Sequence, residues 1–168
     1  MMIKRIFFLF ILVTGIVSCN YFSKYPGYSK TKSGIYYKLI KFGESSEKAK
    51  PGDYLTADIV YKTIDDSLFF EGRRRIQVTE PSFPGAIDEC FLMLAEEEKA
   101  SFIISANDFF TKTLETTLPG FFDEEDPMKV DIDVIEIQTE EDYYREKEAF
   151  LHWIEDFGGL KEMAKHNI

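Results

Sequence analysis

Apolar and polar positions alternate along most of this chain, and changes in their period mark out its elements. Gly34 to Phe42 (GIYYKLIKF) is rich in β-branched and aromatic residues, stops at Gly43 and predicts a strand. A polar loop over Glu44 to Lys50 closes with the turn Pro51-Gly52-Asp53. From Tyr54 to Ile64 the residues Leu55, Ala57, Ile59 and Tyr61 fall on one face of a second strand. Asp65-Asp66-Ser67 supplies a hairpin turn. Two short strands are expected next, Leu68 to Glu71 and Ile76 to Val78, with Arg73-Arg74-Arg75 between them as a solvated loop or bulge. Pro81 to Gly85 stops the sheet. The period then changes: Ala86, Ile87, Cys90, Phe91, Met93 and Leu94 recur at helical spacing, which predicts a helix over 84–95 with one buried face. Lys99 to Ala106 alternates again, as does Met128 to Gln138 with acids on its wet face. Between these strands, Phe109 to Pro127 reads as a long loop with paired aromatics. Thr139-Glu140-Glu141-Asp142 reads as a capping box with Asp in the place of Glu, followed by Tyr143, Phe150, Ile154 and Phe157 at helical spacing and a stop at Gly158-Gly159. The order predicts an α+β fold, an antiparallel sheet curled around one central helix with a C-terminal helix appended.

The first residues follow another pattern. Lys4 and Arg5 precede the apolar run Ile6 to Val13, which is too short to span a bilayer as a helix and reads as a secretory signal over 1–18. Ile16-Val17-Ser18-Cys19 resembles the lipobox of bacterial lipoproteins, which implies lipidation of Cys19 and cleavage before it. Residues 19–33 are then expected as a lipidated tether, 34–138 as the folded domain and 139–168 as a helical extension. The expected location is the cell envelope, lipid-anchored at the outer membrane and facing the periplasm.

Composition narrows the function classes. The chain has 168 residues, enough for one domain with a real core, and 45% of them are hydrophobic. A net charge of -10, with no basic patch beyond the arginine run, excludes a nucleic-acid binder. Two Cys and two His are too few for a structural zinc site, and Asp123-Glu124-Glu125-Asp126 lacks the alternating carboxylates and glycine of a calcium loop. No phosphate loop or nucleophile motif occurs, so no cofactor or metal is expected. Cys90, in an apolar helical pattern, reads as a buried inert thiol, and His152 as a surface or packing residue.

Several segments, taken in order, resemble the FKBP-type peptidyl-prolyl isomerases. They are Ser33-Gly34-Ile35-Tyr36-Tyr37, Pro51-Gly52-Asp53, the hairpin ending in Phe69-Phe70, Phe83-Pro84-Gly85, Met93 and the strand KASFIIS. The resemblance covers residues 33 to 138 and is nearest to FKBP-like lipoproteins of the Bacteroidetes envelope. It implies prolyl isomerisation of proline-containing polypeptides in an aromatic pocket. Carried over by position, Phe69 takes the place of the pocket phenylalanine and Phe83 that of the residue whose backbone N–H binds substrate. Phe110 takes the place of a loop tyrosine, Ile76 and Val78 of the apolar strand, and Val130 of the last-strand phenylalanine. Ala86 stands where the family has the tryptophan floor, and Phe70 where it has an aspartate. The family's second-strand tyrosine falls on Ile59 without a gap. With a shifted hairpin it falls on Tyr61, and Phe70-Glu71 then fills the Phe-Asp positions. Both residues share a face, so periodicity leaves the register open. The departures at Ala86 and Phe70 keep a second expectation in play, a catalytically degenerate FKBP-like lipoprotein that binds peptides or scaffolds a complex. The C-terminal helix offers a possible contact for a protein partner.

Overall fold

The computed structural model describes residues 24–156. The signal segment, Cys19, Phe157 and Gly158-Gly159 lie outside the described residues. The described elements are β1 (Ser29–Lys30), β2 (Tyr36–Lys41), β3 (Tyr54–Thr63), β4 (Leu68–Gln77), α1 (Ile87–Leu92), β5 (Lys99–Ser105), a short turn α2 (Ala106–Asp108), β6 (Pro127–Gln138) and α3 (Glu140–Asp156). The six strands form one sheet in the order β1-β2-β5-β6-β3-β4, and every neighbouring pair is antiparallel.

The alternation seen in the sequence is the physical basis of this sheet. Leu55, Ala57 and Ile59 of β3, Val130, Ile132 and Val134 of β6, and Ala100 and Phe102 of β5 are all buried, and Ile87, Cys90 and Phe91 of α1 pack into the same core. Burying each of the larger ones, the leucine, isoleucines, valines and phenylalanines, stabilises the fold by about 1.5–3 kcal/mol. Cys90 is fully buried, and that burial pushes its thiol well above the usual range, so it is an inert core residue.

The helix is shorter than 84–95. Gly85 takes a positive φ of 86° and its N–H is held by the Glu89 carboxylate at 2.7 Å, so the helix starts at Ile87. At the other end the backbone leaves the helix to bond elsewhere: Ala49 N–H donates to the Leu94 carbonyl, and Lys48 pairs with Ala95 as an isolated bridge. Glu98 fixes this turn. Its buried carboxylate accepts from Ala95 N–H at 2.9 Å and from Lys48 Nζ at 2.6 Å. Burial alone would push the carboxyl up, but these two bonds and the lysine charge outweigh it and hold Glu98 below the usual carboxylate range. Gly43 is required beside this turn, because a Cβ there would stand 2.0 Å from the Glu96 carbonyl oxygen.

Three other expectations change. The arginine run is not a loop: β4 is continuous from Leu68 to Gln77, and Asp58 pairs in register with Arg73. Arg73 and Arg75 find cross-strand partners on the outer face, Asp58 and Glu136, while Arg74 lies on the inner face over the Phe70 ring. Residues 24–33 are more than a tether. Ser29 and Lys30 pair with Tyr37 and Tyr36, Tyr25 sets its ring edge-on to Tyr36, and Tyr28 donates to Ser101 Oγ at 2.9 Å, so β5 is covered on both faces. The segment 109–127 carries structure of its own. Ser105 Oγ accepts from Asp108 N–H to start α2, and a π-helical turn, Phe109–Thr113, follows directly.

The C-terminal helix begins as the sequence predicts, with Thr139 Oγ1 accepting from Asp142 N–H. It docks through its first turn, where the Tyr143 ring stacks on Tyr54 at 3.7 Å. Further along, Phe150, Leu151 and Trp153 are exposed. Among the described residues no helix is long and apolar enough to cross a membrane.

Candidate functional site

The register of the β3–β4 hairpin decides how the site is built. Tyr61 pairs with Phe70 and Lys62 with Leu68, so Phe69 is an extra residue, a β-bulge. A bulge re-aims its side chain. Two consecutive phenylalanines therefore both reach Tyr61, with ring centroids at 4.9 Å for Phe70 and 6.1 Å for Phe69. Tyr61 thus faces Phe70 across the hairpin, whereas Ile59 lies in the core at 1% exposure.

Tyr61, Phe69 and Phe70 are half-buried and form one wall of an aromatic cluster. The other wall comes from the segment between β5 and β6. Phe109 sets its ring edge-on to Tyr61 at 5.1 Å, Phe110 lies 6.2 Å from Phe69, and Phe121 and Phe122 each lie 5.6 Å from Phe69. Most of these pairs are tilted or edge-on, the arrangements that aromatic quadrupoles favour. Burial pushes the Tyr61 phenol up to about 12, because the anion would lose its hydration there.

The rim beside Tyr61 is partly cationic. The Arg74 guanidinium lies 4.9 Å from the centre of the Phe70 ring, and Lys112 Nζ lies 5.1 Å from that of Phe83. Gly72 leaves room for the first contact, since a Cβ there would stand 3.1 Å from Arg74 Nη1. Ile76 and Phe83 are half-buried. The Lys112 contact ties Phe83, in the turn before α1, to the π-helical turn after β5.

The predicted site residues thus fall into two sets. Phe69, Phe70, Tyr61, Ile76 and Phe83 keep partial access to solvent. Ile59, Val78, Ala86 and Val130 are exposed by 1% or less and belong to the core, so as folded they cannot touch a bound peptide. The physical reason is packing. At position 86 an alanine offers only one methyl group where the family resemblance implies a large ring, and that methyl is buried. Phe110, 9% exposed, lies inside the aromatic cluster, where it supports Phe69. Phe109, Phe121 and Phe122 were not singled out from sequence as site residues. Their signal was the repeated Phe-Phe pair within one loop.

A cavity of about 550 Å³ opens beside Phe69, between the hairpin at Ile64 to Leu68 and the residues Phe121, Phe122, Asp126 and Pro127. A separate hollow of about 310 Å³ lies between β2, β5 and the end of α1, with Lys48 at its edge. No cluster of His, Cys, Asp or Glu able to hold a metal is found among the described residues.

No protein-family model matches the sequence, and no curated protein matches it. Solved structures do match by shape. FkpA from Escherichia coli superposes with a TM-score of 0.55 at 14% identity, covering 70% of this chain and 54% of that one. The chain therefore spans about half the length of FkpA. A peptidyl-prolyl cis-trans isomerase from Pseudomonas syringae pv. tomato superposes with a TM-score of 0.54 at 14% identity, covering 68% of this chain and 84% of that one. At this identity the likeness is one of fold, and it agrees with the strand order, the single helix against the sheet and the appended C-terminal helix: the chain has an FKBP-like α+β fold.

Proposed function

We propose that this protein is an FKBP-type peptidyl-prolyl cis-trans isomerase acting on proline-containing polypeptides in the cell envelope, held at the membrane by lipid on Cys19. The observation that carries the reading is the register Tyr61↔Phe70. It brings Tyr61 and Phe70 together as a half-buried aromatic pair, in a fold shared with a prolyl isomerase.

Such a site needs no nucleophile. Amide resonance gives the X-Pro bond a barrier of about 18–20 kcal/mol, and uncatalysed exchange takes tens of seconds or more. The planar amide has the larger dipole. An apolar surface that strips water from it therefore raises the ground state more than the twisted one. Tyr61, Phe70, Ile76 and Phe83 would supply that surface, and the Phe83 backbone N–H would orient the substrate carbonyl. Arg74 and Lys112, laid over rings at the rim, would narrow the access of water. The exposed Phe150 and Leu151 of α3 would offer a contact to a protein partner.

A second reading is favoured by Ala86, Val130 and Val78, whose burial leaves the pocket without the floor that the family resemblance implies. On that reading the protein binds peptides or scaffolds a complex without turnover. Following cis-to-trans conversion of a model X-Pro tetrapeptide separates the two. Acceleration that falls by about tenfold in Phe70→Ala supports the isomerase. No acceleration at high protein concentration removes it and leaves the binding module.

A further inference from the structure

We propose that the cleft between the β3–β4 hairpin and the 119–127 segment is a docking site for an unfolded polypeptide carrying an aromatic side chain flanked by Lys or Arg, used whether or not proline is present. At about 550 Å³ it can take one or two large apolar side chains. Its apolar surface is presented to water. Leu68 is 56% exposed and Phe121 58%, with Phe69 and Phe122 behind them. Rings and a leucine held open in this way are a recognition surface rather than a core, because Phe122 and Phe110 already fill the interior beneath.

Charge selects the occupant. Asp65 and Asp126 line the cleft, and Asp123, Glu124 and Glu125 stand exposed on the adjoining turn. One Asp126 oxygen is held by Asp123 N–H, which fixes the turn. The flanking lysines do not neutralise this edge, since Lys129 is paired with Asp66 at 2.8 Å and Lys62 with Asp131 at 2.8 Å. An apolar slot with an acidic rim accepts a hydrophobic anchor with basic neighbours and repels the same anchor between acids.

The test uses the full chain and two fluorescent, proline-free probe peptides, one with Lys on both sides of a Phe-Leu core and one with Glu there. The Lys probe is expected to bind more tightly, with the difference shrinking as salt is raised. The double variant Leu68→Ser/Phe121→Ser should weaken it about tenfold while leaving the circular-dichroism spectrum unchanged, as both side chains are exposed. Asp65→Asn, which leaves the apolar contacts intact, should reduce the preference for Lys over Glu. Equal affinity for the two probes, or unchanged binding by the double variant, overturns the proposal. So does a dimer in sedimentation that the double variant abolishes, because the cleft would then belong to a second copy of the chain. With no proline in either probe, these outcomes do not depend on isomerase activity.

Discussion

The β3–β4 hairpin has two faces built on opposite principles. On the outer face charges meet charges in register: Lys99, Asp133, Asp58 and Arg73 form one row across β5, β6, β3 and β4. Arg73 holds Asp58 through two bonds, at 2.8 and 2.9 Å, and Lys99 reaches Asp133 at 3.0 Å. The Arg73 guanidinium keeps the Asp58 carboxyl below its usual range. On the inner face Tyr61 and Phe70 meet only rings and apolar groups, with Arg74 laid across the Phe70 ring. The outer face is solvated and its charges are occupied by one another, so it contributes solubility and protects the β4 edge. The inner face withholds water, and that property is the one a prolyl site needs. The same ten-residue strand thus separates a surface that is chemically finished from one that is available.

The largest effect should come from removing a ring buried beneath the inner face. Phe109→Ala is expected to cost about 3–5 kcal/mol of stability, read from urea unfolding, because it empties a closed site. A cost near zero would mean that the cluster is loosely packed. Next is Phe70→Ala. Its half-buried ring should cost about 1–3 kcal/mol, and the X-Pro rate should drop more than stability accounts for. A smaller effect follows from Tyr61. Its phenol is raised to about 12, so the folded state keeps its proton where an unfolded tyrosine has lost it. Stability from this source is complete below an unfolded pKa of about 10 and is lost as pH rises towards the folded value. Alkaline unfolding followed by ultraviolet absorbance should show this loss, and Tyr61→Phe should remove it. The smallest effect belongs to the outer face. Arg73→Ala should leave the thermal midpoint unchanged within error, since both partners are exposed. A clear destabilisation there would erase the contrast between the faces.

The sheet was legible because alternation is a local property. Leu55, Ala57 and Ile59 declare the inner face of β3 without reference to any other strand. Features that depend on distant partners were not. Nothing near Arg73 in sequence announces Asp58, so a strand read as a broken loop. Nothing near Glu98 announces Lys48, so the apolar pattern alone carries the helix past its real end. The bulge at Phe69 decides whether Ile59 or Tyr61 faces the site, and it arises from pairing rather than pattern, since both residues share a face. The candidate site was half legible. Phe69, Phe70, Tyr61, Ile76 and Phe83 could be singled out from the chain. The burial of Val78, Ala86 and Val130, and the convergence of Phe109, Phe121 and Phe122, depend on how a connection of some twenty residues folds back, which periodicity does not encode.

Residues 24–30 have a further consequence. Tyr25 and Tyr28 fasten the incoming chain to Tyr36 and Ser101, on the side of the sheet turned away from the aromatic cluster. The described chain therefore enters the domain on the face opposite the aromatic cluster, and residues 24–30 leave the mouth of that cluster uncovered.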